Sequence, residues 1–210
     1  MSAPTQARPA TGGQGGRPRD ATRDGVVLQA VRELLAEEGY QALSVHKVTL
    51  RCGVHVRTIA RRWEGKAEMA AAAVLGGDAR LYADLVPGLP TGRLAADVRE
   101  MIDQTMEYLA DPATRAALPA LMAEIEVNDT VRELFMRREE EWVTVIRAVL
   151  ESAVASGDAP ERVLGRERIL ARVLAGSAYS LQFSPQPASS QGMLDELTGF
   201  LLAALLGPGR

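Results

Sequence analysis

Residues 44–66 read SVHKVTLRCGVHVRTIARRWEGK, and this stretch decides the fold. Ser44 is an N-cap type of residue, and the pattern after it predicts a short helix to about Arg51. Its inward positions would be Val45, Val48 and, near the end, Cys52. Gly53 and Val54 interrupt the helix briefly, and glycine supplies the backbone freedom that a tight turn needs. A third short helix fits about Val56 to Arg62, with Ile59 and Trp63 inward. Two short helices joined by a glycine-containing turn form a helix-turn-helix, in which the second helix enters the DNA major groove. Val48, Val54 and Ile59 would hold the two helices together, with Trp63 closing the underside of this small core.

Upstream, Val26, Val27, Ala30, Val31, Leu34 and Leu35 recur with helical period, which predicts a helix over about Thr22–Glu38 stopped by Gly39. Downstream, a fourth helix opens after Gly65 with Lys66 in its first turn and continues through Met69, Ala73, Leu81 and Leu85 to the Pro87–Pro90 break. The remainder reads as helices throughout: about Arg93–Ala110, Pro112–Glu126 with Pro119 expected to kink it, Thr130–Ser156, Arg162–Phe183 and Gln191–Leu206. The first 16 residues are rich in Pro, Gly, Ala, Ser, Thr and Gln, a linker composition that leads into Arg17-Pro18-Arg19. The expected fold class is therefore all-α. A disordered basic arm (1–20) precedes a three-helix helix-turn-helix domain (21–66), and a larger helical domain (67–210) follows.

Charge divides along the same line. Residues 1–66 carry 11 Lys/Arg against 6 Asp/Glu, and residues 67–210 carry 13 against 21. A basic front on an acidic remainder suits a protein whose first third approaches a polyanion. The chain is 47% hydrophobic, enough for a sizeable core and against wholesale disorder. Its 4% aromatic content favours helix over a β-sandwich or barrel. One cysteine permits no internal disulfide. No apolar run approaches the ~20 residues that span a bilayer, and no signal peptide is visible, so a soluble, cytoplasmic protein is expected.

These residues resemble the TetR family of bacterial transcription regulators. The resemblance runs through Gly16-Arg17-Pro18-Arg19-Asp20, Leu34-Leu35-Ala36-Glu37-Glu38-Gly39-Tyr40 and Ala42-Leu43-Ser44-Val45, then Val48, Arg51, Gly53-Val54, Thr58-Ile59, Arg61-Arg62-Trp63 and Lys66. It implies an N-terminal DNA-binding domain, a larger helical domain that binds a small effector, and a homodimer. Three positions depart from the family pattern. His55 stands where Ser or Thr commonly opens the recognition helix, Val56 where Lys is frequent, and Ala60 where a Tyr usually touches phosphate. These changes remove phosphate contacts that drive non-specific affinity.

By position, Arg57 and Thr58 occupy the front half of the recognition helix, where a guanidinium can bond guanine O6 and N7 together. Lys47, Arg61 and Arg62 surround the same helix. Lys66, at a helix N-terminus, suits a phosphate. Ser44 caps its helix and can touch phosphate as well. His55 can contact phosphate, base or neither. Arg17 and Arg19 can reach a minor groove or simply be a solvated tail. For the effector, Met101, Met106, Met122, Trp142, Tyr179 and Phe183 are large, adaptable or polar-tipped groups on the middle helices, each either a pocket wall or plain core.

No cofactor and no metal are expected. Cys52 and His55 have a C-x-x-H spacing, but zinc needs four ligands and the chain has only two histidines and one cysteine. No nucleotide-binding or nucleophile-elbow motif occurs, so an enzyme is not expected. Gly176, Ser177 and Ala178 are small, while Leu194, Leu197 and Leu201 give the last helix surplus apolar surface, which points to a dimer through the last two helices. The expectation is a homodimeric repressor released from a palindromic double-stranded operator by a small, largely apolar ligand, with no membrane partner. The alternatives are a ligand-binding dimer whose DNA contact has weakened or been lost, and an activator on the same fold.

Overall fold

The computed structural model describes residues 21–76, 88–184 and 191–207. Among these, nine α-helices and one 3₁₀ turn, Glu161–Val163, make up the regular structure, with no strand. The fold is all-α, as the sequence predicts. The basic arm with Arg17 and Arg19 lies outside the described residues, and so does the expected extension of the fourth helix through Leu81 and Leu85.

Helix α1 (Ala21–Ala42) buries Val27, Ala30, Val31, Leu34 and Leu35, one face of a 3.6-residue period. Val26, expected on that face, is exposed. Gly39 breaks the helix as expected, at φ 79°, ψ 170°, a left-handed backbone that glycine adopts without steric cost. The chain then resumes one more turn, which brings Tyr40 and Leu43 into the core.

Helix α2 (Val45–Cys52) starts at Ser44, whose Oγ accepts a hydrogen bond from the Lys47 amide at 3.3 Å. It ends at Gly53, φ 69°, whose amide donates to the Thr49 carbonyl at 2.9 Å. Helix α3 (Val56–Ala60) has five residues, too few to be helical on its own in water. Burial of Ile59 at 0% exposure pins it against α2, in the core that α2 shares with α1. It stops before Arg62 because the Arg62 amide turns back to the Ile59 carbonyl, tightening the last turn. Trp63 is half-buried against the same core.

Helix α4 (Lys66–Leu75) follows. Then come α5 (Leu94–Ala110), α6 (Pro112–Glu124), α7 (Asp129–Ala155), α8 (Glu167–Phe183) and α9 (Gln191–Leu206). Side-chain caps fix two of these starts. The Asp111 carboxylate accepts from the Thr114 amide at 2.9 Å, and the Asn128 carbonyl oxygen accepts from the Val131 amide at 3.1 Å. Helix α6 continues past the exposed Pro119. The helix expected over 162–183 is shorter at its start. Gly165 takes φ 85°, and the Glu167 carboxylate accepts its amide at 3.0 Å, so the helix begins at Glu167.

Two apolar cores result. The first joins Val31, Leu34, Leu35, Val48 and Ile59 to Met69, Ala70, Val74 and Leu75 of α4, and on to Leu109, Ala117, Leu118, Leu121 and Val131. The second packs α5 and α7 against α8 and α9 through Val98, Met101, Ile102, Trp142, Ile146, Leu150, Leu174, Leu194 and Leu201. The first core is continuous from the helix-turn-helix into the helices beyond it. Helix α1 lies against both α4 and α6. Close-packed interiors transmit displacements rather than absorbing them.

Candidate nucleic-acid interface and effector cavity

The helix-turn-helix presents one short cationic face. Arg57 on α3 and Arg61, the residue that caps its end, stand four residues apart, opposite the buried Ile59, and both are exposed. Neither forms an ion pair with any described residue. Thr58 beside them is half-buried. Val56 and Ala60 are exposed on the same helix, so the departures from the family pattern lie on its surface and not in its core.

His55 keeps one function of the Ser or Thr it replaces. It is the N-cap of α3, and its Nδ1 accepts a hydrogen bond from the Arg57 amide at 3.2 Å. Cys52 is half-buried, and its Sγ accepts from the Val54 amide at 3.4 Å. Among the described residues no group of three metal-type donors gathers here or elsewhere.

The other cations are engaged within the head. Lys47 pairs with Glu38 and Arg62 pairs with Asp24. Arg51 spans Glu33 at 3.3 Å and Glu37 at 2.6 Å. Hydrogen bonds from Arg51 hold the Glu37 carboxyl below its usual range, against a small opposing effect of burial. Glu33 and Glu37, one turn apart on α1, were the readable signal for this clamp. Lys66 opens α4, and its ammonium lies 4.6 Å above the Tyr40 ring, a cation–π contact that fixes it beside the end of α1.

A cavity of about 520 Å³ lies between α5, α6, α7 and α8. Of the six pocket candidates, Met122, Trp142 and Tyr179 stand on its wall. Met101 is fully buried in the second core, and Met106 packs against both cores without reaching the wall. Phe183 lies behind Tyr179, with ring centroids 4.5 Å apart. The sequence reading missed Tyr108, Phe135 and Arg138, which also line the space. Arg138 was legible as an anomaly. It falls in the stripe Val131, Leu134, Arg138, Trp142, Val145, where every other position is apolar.

Tyr108 links the cavity to the head. Its hydroxyl donates to the Val74 carbonyl of α4 at 2.9 Å, and burial pushes its phenol above the usual range, so it remains a donor. Arg32 of α1 donates to the adjacent Ala73 carbonyl at 3.0 Å and pairs with Asp111, the cap of α6, at 3.0 Å. The last turn of α4 is thereby tied to both the cavity wall and α1, while its first residue is Lys66. No described helix is long and apolar enough to cross a membrane.

This geometry, a helix-turn-helix joined by one helix to a cavity-bearing bundle, is that of the helix-turn-helix class of DNA-binding proteins. The family model described as "Tetracyclin repressor-like, C-terminal domain" matches residues 89–199, and that described as "Bacterial regulatory proteins, tetR family" matches residues 27–73. The chain belongs to the TetR family. It is a DNA-binding type of transcriptional regulator and not an enzyme. No curated protein matches it. Solved structures of similar fold include GusR of Salmonella enterica, at 19% identity and TM-score 0.66 over 90% of this chain and 98% of that one. A putative transcriptional regulator from Saccharomonospora viridis, in complex with choline, is 15% identical with TM-score 0.65, covering 87% and 96%. A TetR transcription regulator from Haloarcula marismortui is 14% identical with TM-score 0.66, covering 89% and 97%.

Proposed function

We propose that this protein is a cytoplasmic, homodimeric repressor that grips a palindromic operator through α3 and lets go when a small, largely apolar ligand fills the cavity. The observation that carries this reading is α4. It begins at Lys66 beside the head and ends at Val74 and Leu75, where Tyr108 of the cavity wall holds the Val74 carbonyl. Residues 21–66 serve as the DNA-binding unit and 67–210 as the effector and dimer unit. Arg57 and Thr58 read bases, with Arg61 beside them. Lys66, Ser44 and Lys47 lie on the phosphate side, and Arg17 and Arg19 of the arm enter the minor groove. Lys47 gives up its Glu38 contact if it takes a phosphate. His55 acts chiefly through its cap.

A ligand shifts the protein only by its differential affinity for two conformations. Displacement of Tyr108 on filling the cavity moves the last turn of α4, and the recognition helices of the two subunits then no longer match the half-site spacing. The Saccharomonospora viridis protein holds choline, which supports a small organic molecule as effector here too. The dimer forms through α8 and α9, where Gly176, Ser177, Leu181, Met193, Leu197 and Phe200 line an open groove.

The exposed Val56 and Ala60 favour a second reading, a ligand-binding dimer with weakened operator contact. A reporter driven by the promoter beside this protein's own gene separates the possibilities. Deletion of the coding sequence is expected to raise expression severalfold. A fall would make the protein an activator, and no change would favour lost DNA binding.

A further inference from the structure

We infer that the effector is an anionic amphiphile, an apolar body carrying a carboxylate, and that Arg138 receives the carboxylate. This deepens the reading of the cavity as the effector site and rests on it.

The wall of the cavity is apolar over most of its extent, but its charged groups are unbalanced: Arg132, Arg138 and Arg172 against Glu139 alone. Arg172 and Glu139 satisfy one another at 3.0 Å, and Arg168 adds a second bond to the same carboxylate at 3.1 Å. Burial works to raise the Glu139 carboxyl, but these two guanidiniums prevail and hold it below its usual range, so it stays ionised as part of the rim. Arg132 pairs with Asp129 and donates to the carbonyls of Ile125 and Glu126 at 3.0 and 3.2 Å. Both of these pairs lie toward the exposed mouth of the space.

Arg138 differs in depth. It is only 7% exposed, on the inward face of α7 between Val131 and Trp142. Its guanidinium lies over the Tyr108 ring, 5.4 Å from the centroid, and its Nη1 is 3.7 Å from a carboxylate oxygen of Glu141, which is outside the lining. That separation is a charge contact rather than a hydrogen bond. A carboxylate entering from the cavity can approach a guanidinium to about 2.7–2.9 Å with two parallel bonds, the geometry that arginine offers and lysine does not. A cationic ligand would meet the buried Arg138 guanidinium across a low-dielectric wall. An uncharged one would gain the apolar burial and forgo the ion pair. The apolar wall supplies the rest: Leu118, Met122, Phe135, Trp142 and Tyr179 take the hydrocarbon.

Isothermal titration calorimetry of the full-length protein with decanoate, decanol and decyltrimethylammonium, below their aggregation concentrations, tests this. Decanoate is expected to bind one per protomer, about tenfold or more tighter than decanol, in line with a hydrogen-bonded charge. Decyltrimethylammonium is expected to bind weakest. Arg138→Met should abolish the preference for decanoate over decanol, and Arg138→Lys should restore part of it. If Arg138→Met fails to fold, the three probes in the unaltered protein still decide the anion, and a preference for decanoate undiminished in Arg138→Lys overturns the assignment to Arg138. Equal binding of decanol and decanoate overturns the anion and leaves the cavity reading standing. Tightest binding of decyltrimethylammonium does the same. Absence of binding by all three overturns both, and a preference for decanoate that survives Arg138→Met overturns the assignment to Arg138.

Discussion

Phe200→Glu is expected to turn the proposed dimer into a monomer. Phe200 is 68% exposed on α9, where a large aromatic ring otherwise has no reason to face water. Met193 and Leu197 continue the same face, and Ser177 and Leu181 of α8 stand across the groove. In an isologous interface each substitution appears twice about the two-fold axis. A buried, unpaired carboxylate costs several kcal/mol, so two of them raise the dissociation constant by several powers of ten, past micromolar working concentrations. The same side chain in water costs the isolated chain almost nothing. Light scattering should therefore report the 22.5 kDa chain mass in place of twice that value, with unchanged helical content by circular dichroism at about 25 °C and a lower melting temperature as the dimer's contribution is lost. An unchanged dimer mass with an intact fold would remove α9 from the interface. Leu197 is the poorer probe because it is half-buried against its own chain's second core.

The second large effect concerns how the operator is read. Arg57→Ala is expected to lose about 1–3 kcal/mol per half-site and to relax preference at one base position, because Arg57 stands exposed in the first turn of α3. Lys66→Ala should weaken all sequences alike and reduce the salt dependence by about one counterion per protomer. Lys66 begins α4, outside the recognition helix, and the Tyr40 ring holds it in place. Fluorescence anisotropy against operator variants at several salt concentrations separates the two roles. If Arg57→Ala weakens every sequence equally while Lys66→Ala changes base preference, the register of α3 on DNA is wrong.

The helices were legible because their signals are local. Ser44 caps the turn that follows it, Gly39 and Gly53 take the left-handed backbone, and the last helix spans Gln191–Leu206 as its pattern predicts. Periodicity failed where the question became what an inward residue meets. Met101 and Trp142 both lie on inward faces of the second core, yet Met101 meets side chains alone while Trp142 also borders the cavity, and only packing decides which. In the same way, the last helix was readable as too apolar, but not that Leu194 and Leu201 turn into their own core while Met193 and Phe200 face out. Long-range pairs were invisible as well. Asp24 with Arg62, and Arg32 with Asp111, are brought together by the crossing of α1 over the head and α6. Those pairs determine which cations remain available to DNA, and so the basic front of the sequence overstates the cationic face of the structure.

The claim on which the account turns is that α3 reads a defined operator. Footprinting of the promoter fragment beside this protein's own gene tests it most directly. The account predicts protection of a palindrome whose half-sites lie about one helical turn or a multiple apart, roughly 10 base pairs per turn, lost on Arg57→Ala. Uniform or absent protection, with the same affinity for that fragment and for unrelated DNA, would contradict it.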